Sequence, residues 1–144
     1  MNTLILVRGI PGSGKSTLAK WISVDSTVLH FEADMLFVDR ETGEYKFDGM
    51  RIGEAHEWCQ SITKQSLSEG YNVVVSNTFT RLKEMRPYFD MAKELNIVPT
   101  VYVAQGGFRN IHRVPAHVLD NMSQRFEYDV TPLYDEFFPH RPSR

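Results

Sequence analysis

The chain carries one cysteine, Cys59, in 144 residues. A single thiol excludes an intramolecular disulfide and a cysteine-based zinc site, and so sparing a use of cysteine is expected of a reducing, cytoplasmic compartment. Long apolar runs are missing too. The only N-terminal one, Leu4 to Val7, is too short for a signal-peptide core or a membrane span. Internal repeats, low-complexity tracts and linkers are absent, so residues 1–144 read as a single domain. There is also no large excess of one charge. The formal net charge is −2, which argues against a uniformly basic nucleic-acid-binding surface. The charge is uneven, however, at −3 over residues 1–80, +3 over 81–125 and −2 over 126–144. The basic third quarter suits either a face turned to phosphates or a solvated helix face.

What is present is an ordinary core, with 42% hydrophobic residues, arranged in two alternating patterns. Thr3–Val7, Thr27–Phe31, Asn72–Ser76 and Ile97–Val103 are short β-branched and aliphatic runs, predicted as buried strands. Between them the spacing predicts helices over Thr17–Ser23, about Met50–Glu69 and Leu82–Leu95, and a last one over Pro115–Arg125. Asp48 and Gly70 are the expected stops of the second helix, Ile52, Ala55, Cys59, Ile62 and Leu67 its core face, and Pro87 is expected near the first turn of the third. Residues 39–49 read as an exposed excursion, Gln105–Pro115 as a mobile segment, and Phe126–Arg144 shows no clear periodicity. Strands alternating with helices predict an α/β fold: a parallel sheet of about four strands flanked by helices, with right-handed crossovers and its ligand beyond the carboxyl ends of the strands.

The first strand runs into Gly9-Ile10-Pro11-Gly12-Ser13-Gly14-Lys15-Ser16, a complete G-x-x-x-x-G-K-[ST] phosphate loop followed by Thr17 and a helix. Gly9, Gly12 and Gly14 let the backbone turn and bring its N–H groups, with those of Pro11's neighbours, Ser13 and Thr17, close to phosphate oxygens. Lys15 is a point charge for the β- and γ-phosphates, Ser16 offers a hydroxyl to Mg²⁺, and the helix dipole faces the anion. The loop thus predicts ATP and Mg²⁺ as ligands. It does not by itself choose among a switch, an ATPase and a kinase.

Residues beyond the loop bear on that choice. Asp34, after the second strand, stands where a carboxylate can accept the proton of an attacking hydroxyl; an N-cap for the following turn is its structural alternative, and Glu32 is a lower-ranked competitor. The third strand ends in Ser76-Asn77-Thr78 where a motor or hydrolase carries a metal-binding Asp, so Asn77 and Thr78 are read as acceptor or phosphate contacts, or as strand-end caps. Arg109 and Arg113, flanking His112, suit a lid that closes over phosphates. His56 and Trp58 are read as packing residues or as lining of an acceptor cleft.

In this order the pieces resemble the polynucleotide kinase family of P-loop phosphotransferases: a strand with G-x-P-G-S-G-K-S-T, an Asp after the second strand, S-N-T after the third and R-N-x-H-x-V-P after the fourth. The resemblance spans most of residues 3–126 and is to the phage-type 5′-hydroxyl kinases and related ATP-binding proteins. It implies that Asp34 is the general base for a nucleic-acid hydroxyl, that Lys15 and Ser16 hold the donor, and that Arg109 or Arg113 is the lid arginine. This chain departs from the pattern at Phe37, where the phage member has an arginine for the acceptor's 3′-phosphate, at Asn77, where the family has Asp, and in a shortened lid. Phe37 and Phe79 are candidate base-stacking residues or core residues. The function implied is transfer of the ATP γ-phosphate to a nucleic-acid hydroxyl, at a 5′ end or on a hydroxymethylated base. A small-molecule or nucleoside kinase and a non-enzymatic ATP-gated module are the alternatives.

Overall fold

The computed structural model describes residues 2–25, 27–105 and 115–140. Four strands form one parallel sheet in the order β2-β3-β1-β4, with β1 Leu4–Arg8, β2 Val28–Phe31, β3 Asn72–Asn77 and β4 Thr100–Val103. The helices are α1 Lys15–Ile22, α2 Ile52–Ser68, α3 Leu82–Glu94, α4 Ala116–Arg125 and α5 Thr131–Phe137. Single 3₁₀ turns cover Ala33–Phe37 and Gly49–Arg51. This is the α/β architecture the alternating pattern predicts.

Successive strand residues face opposite sides of a sheet, and here both sides are covered. Leu4, Leu6, Val73 and Val75 enter the larger core with Cys59 of α2, Met85 and Phe89 of α3 and Leu133 of α5. Val7 and Val74 point the other way, onto Ala19 of α1. Two-sided burial is why β1 and β3 are continuous apolar runs rather than alternating ones.

Several boundaries differ from expectation for local reasons. The buried stripe of α2 is Ala55, Cys59, Thr63, Ser66 and Leu67, whereas Ile52, at the first turn, is 43% exposed. β4 starts at Thr100 rather than Ile97, because the Ile97 N–H donates to the Ala92 carbonyl at 2.8 Å to finish α3 and Pro99 has no N–H for a ladder. Pro87 lies inside α3 rather than in its first turn, and the reciprocal cap between Arg81 and Glu84 secures the start of that helix.

α5 is the element the sequence did not announce, since seven residues are too few to display a periodicity. It is anchored on Phe89, which is fully buried, with the rings of Tyr134, Phe137 and Phe138 centred 5.1, 6.0 and 6.2 Å away. The Tyr134 hydroxyl donates to the Pro99 carbonyl, and Arg86 of α3 forms a two-pronged ion pair with Glu136. Phe89→Ala should therefore lower unfolding free energy by about 3–5 kcal/mol in urea titrations. A loss under about 1 kcal/mol would show that α5 is not held by this ring.

Candidate active site

The segment between β1 and α1 wraps the N-terminus of α1. Gly12 and Gly14 adopt φ of 83° and 89°, the left-handed region that a β-carbon disfavours. Gly9 is needed for space instead: a Cβ there would stand 2.2 Å from Ser13 Oγ and 2.9 Å from the Ala104 carbonyl oxygen. The Gly9 N–H donates to the Thr78 carbonyl at 3.2 Å and the Ala104 N–H to the Arg8 carbonyl at 2.8 Å, so the loop's entry is tied to the ends of β3 and β4.

Arg8 makes a second tie that the sequence signals only as a charge closing an apolar strand. It is fully buried, and its Nε and Nη2 donate to the Phe79 carbonyl at 3.0 and 2.7 Å. Its guanidinium lies 4.2 Å from the centre of the Phe126 ring. Burial lowers the Arg8 pKa, with Glu127 and Glu84 acting in the opposite direction. Phe79 has φ of 45°, a strained value for a residue with a side chain, and the guanidinium grips its carbonyl. Its ring is 2% exposed and packs edge-on against Tyr88 with centroids 5.4 Å apart. It thus belongs to the core and presents no face for stacking.

Phe31 of β2 lies opposite Val75 of β3, which brings the next residues, Glu32 and Ser76, side by side. Glu32 Oε1 accepts from Ser16 Oγ at 2.5 Å and from Ser76 Oγ at 2.6 Å, and His30 Nε2 lies 3.3 Å from it. His30 Nε2 also sits 2.7 Å from Ser76 Oγ. With the one hydroxyl proton of Ser76 on Glu32, a single Nε2–H of His30 is shared between Ser76 Oγ and Glu32 Oε1. Burial raises the Glu32 pKa, but hydrogen bonds from His30, Ser16 and Ser76 outweigh it and hold the carboxyl at about 2. Lys15 has a lowered pKa, through burial first, with Glu32 and Asp34 opposing.

Lys15, Ser16, Glu32 and Asp34 border one cleft of about 390 Å³, whose far wall includes Phe37, Tyr45, Phe47, Ile52, His56 and Met122. Tyr45 shares a hydrogen bond with Asp34, and burial, then that carboxylate, raise the phenol's pKa. A second cleft of about 430 Å³ lies across the loop from the first, between Ile10, Gly12, Val103, Gln105 and Tyr128.

Residues 4–128 match the family model described as an AAA domain. The chain belongs to this AAA domain family. Human NEDD4-binding protein 2 is 36% identical over 94 residues, which are 63% of this chain and 5% of that protein. An uncharacterized protein of Pasteurella multocida (strain Pm70) is 31% identical over 140 residues, covering 85% of this chain and 75% of its own length. Among solved structures, the Pnkp1/Rnl/Hen1 complex gives a TM-score of 0.58 at 19% identity, over 83% of this chain and 38% of that one. The APS kinase CysC of Mycobacterium tuberculosis gives 0.57 at 14% identity, over 93% and 97%. The fold of this AAA domain is thus the P-loop kinase-like α/β fold.

Of the residues singled out in sequence, this AAA domain brings Pro11, Lys15, Ser16, Asp34, Phe37, Asn77 and Thr78 to the first cleft. Asn77 is buried there, its Oδ1 accepting the Ala33 N–H at 2.9 Å, so it shapes the turn that carries Asp34. Phe79 stands apart, as described. Arg109, His112 and Arg113 lie outside the described residues. His56 lines the cleft, while Trp58 packs edge-on against Phe31 at 6.3 Å. His30, Tyr45 and Phe47 gain their significance only from the fold, and Glu32, a lower-ranked competitor of Asp34 in sequence, is set beside Ser76 by the strand register. Among the described residues no helix is long and apolar enough to cross a membrane.

Since the Glu32 pKa is depressed from 4.5 to about 2, its stabilising contribution is complete above 4.5 and lost as pH falls through about 2. The side chain is 20% exposed, which permits a contribution on the order of 3 kcal/mol. Urea unfolding at a series of pH values should show the acid loss of stability in this window reduced in Glu32→Gln. An identical pH slope in both proteins would contradict the hydrogen-bonding described.

Proposed function

We propose that this domain is an ATP- and Mg²⁺-dependent kinase that transfers the γ-phosphate to a hydroxyl of a nucleic acid, at a 5′-hydroxyl end or on a hydroxymethylated base in DNA. The observation that carries the reading is the division between two carboxylates on one cleft. Glu32 is bound by three donors and is kept ionised. Asp34 stands in the wall of the same cleft as Lys15 and shares a hydrogen bond with the Tyr45 hydroxyl. Asp34 accepts the proton of the attacking hydroxyl, and Lys15 with the loop amides holds the β- and γ-phosphates. Arg109 or Arg113 stabilises the transferred phosphoryl group. Phe37, Asn77 and Thr78 shape the acceptor side, and the cleft by Tyr128 receives the nucleoside end of ATP.

The residues fit Mg²⁺. The Ser16 hydroxyl gives its proton to Glu32 Oε1, which leaves its oxygen lone pairs for a hard cation. All three donors to Glu32 reach Oε1, so Oε2 remains for a cation's water shell. When bound, Mg²⁺ supplies neutralisation of charge on the β- and γ-phosphates.

The nucleic-acid acceptor is supported by the order of motifs shared with polynucleotide kinases, and the fold is also that of a chain in the Pnkp1/Rnl/Hen1 RNA repair complex. A small-molecule acceptor is the second reading, favoured by a described cleft lining in which Lys15 is the sole Lys or Arg. Asp34→Ala should keep ATP affinity and lose about 10²- to 10⁴-fold in transfer, measured with γ-labelled ATP and, in parallel, a 5′-hydroxyl oligonucleotide, a hydroxymethylpyrimidine duplex and nucleosides. Near wild-type transfer by the variant would remove Asp34 as base. Label on nucleosides and on neither nucleic acid would select the second reading. Lys15→Ala should weaken ATP binding by about tenfold or more, and unchanged affinity would contradict the loop's role.

A further inference from the structure

We infer that the cleft beside Asp34 grips its acceptor by an uncharged planar ring, laid against an aromatic hairpin, and not by a phosphate. The position of the reacting hydroxyl rests on the kinase reading above; the ring subsite is a matter of binding alone.

The hairpin leaves the turn that carries Asp34. Val38 and Tyr45 form an antiparallel bridge, the Asp39 N–H donates to the Glu44 carbonyl and the Lys46 N–H to the Phe37 carbonyl, each at 2.8 Å. This folding sets Tyr45 and Phe47 edge-on around Phe37, with ring centroids 6.4 and 5.4 Å from it. Phe37 is buried and serves as the base of the cluster, whereas Tyr45 and Phe47 are 43% and 57% exposed. Among the described residues eleven large hydrophobic side chains are exposed, and five of them (Val38, Tyr45, Phe47, Met50 and Ile52) fall within residues 38–52. Apolar surface so concentrated marks a place for a ligand.

The occupant follows from the neighbours of that surface. Tyr45, Phe47 and Ile52 border the same cleft as Asp34, and a volume of about 390 Å³ suits a nucleoside-sized molecule rather than a protein segment. Aromatic edges and faces favour a planar ring, and base-on-aromatic stacking tolerates many rings. Lys15, the sole Lys or Arg of the described lining, belongs to the donor's phosphates, while Glu32 and Asp34 repel a second anion. A ring against Phe47 places a short hydroxyl-bearing arm toward Asp34, and a phosphate further along the acceptor stays outside.

The test is calorimetric binding to the protein loaded with Mg²⁺ and a non-hydrolysable ATP analogue, with thymidine, thymidine 3′-phosphate, guanosine and 2-deoxyribose as probes. Thymidine or guanosine should bind at least about tenfold more tightly than 2-deoxyribose, Phe47→Ala should erase most of that difference, and the 3′-phosphate should change thymidine affinity by no more than about threefold. Phe47 is exposed, so the variant should keep its melting temperature. Equal binding of deoxyribose and nucleosides, no binding of either nucleoside, full nucleoside affinity in Phe47→Ala, or a gain of about tenfold or more from the 3′-phosphate would each overturn the inference. The expected binding pattern, together with no label transferred from γ-labelled ATP to any of the oligonucleotide, duplex or nucleoside acceptors above, would leave the ring subsite standing and remove the kinase reading.

Discussion

The site depends on one carboxylate. Glu32 gathers the hydroxyl of the loop residue Ser16, the hydroxyl at the end of β3 and the imidazole of β2 onto a single oxygen. An ion at this depth is costly unless donors surround it. With three donors it becomes a joint between the loop and two strands. It also fixes the protonation pattern, because the hydroxyl protons are spent on Glu32 and the oxygens of Ser16 and Ser76 are left as acceptors.

Two consequences spread from that joint. The loop keeps its shape from below through Glu32 and from the side through Arg8, whose buried guanidinium ties Phe79 and Thr80 to the root of the loop and stacks on Phe126. The C-terminal segment is thereby part of the framework that holds the loop. Asp34, two residues along from Glu32, is left out of the joint and turned to the cleft by the 3₁₀ turn that Asn77 caps. One short stretch of chain therefore supplies two carboxylates in different settings, Glu32 held by donors and Asp34 on the cleft wall.

The loop was legible in sequence because its glycines and lysine each answer a separate steric or electrostatic demand, and the structure meets those demands at Gly9, Gly12 and Gly14. The parallel sheet was legible because two-sided burial leaves strands with an unbroken apolar run. Glu32 was seen and ranked below Asp34, since its importance lies in the register that sets it beside Ser76, and register between distant strands is not written locally. The strand end without an aspartate looked like a missing metal-side acid. The structure places the carboxylate of Glu32, from the end of the neighbouring strand, against Ser76 and Ser16. Phe79 read as a possible stacking residue because nothing local reveals that Arg8 turns its backbone inward. The hairpin cluster read as an exposed excursion, which it is, but only folding brings Tyr45 and Phe47 against Phe37.

The division of labour between the two carboxylates is tested most directly by measuring ATP affinity with and without Mg²⁺ in Glu32→Gln and Asp34→Asn side by side. The account predicts that Glu32→Gln loses much of the gain in affinity that Mg²⁺ confers, while Asp34→Asn binds Mg²⁺ and ATP as the wild type does. Equal losses in both variants, or a loss in Asp34→Asn alone, would contradict it.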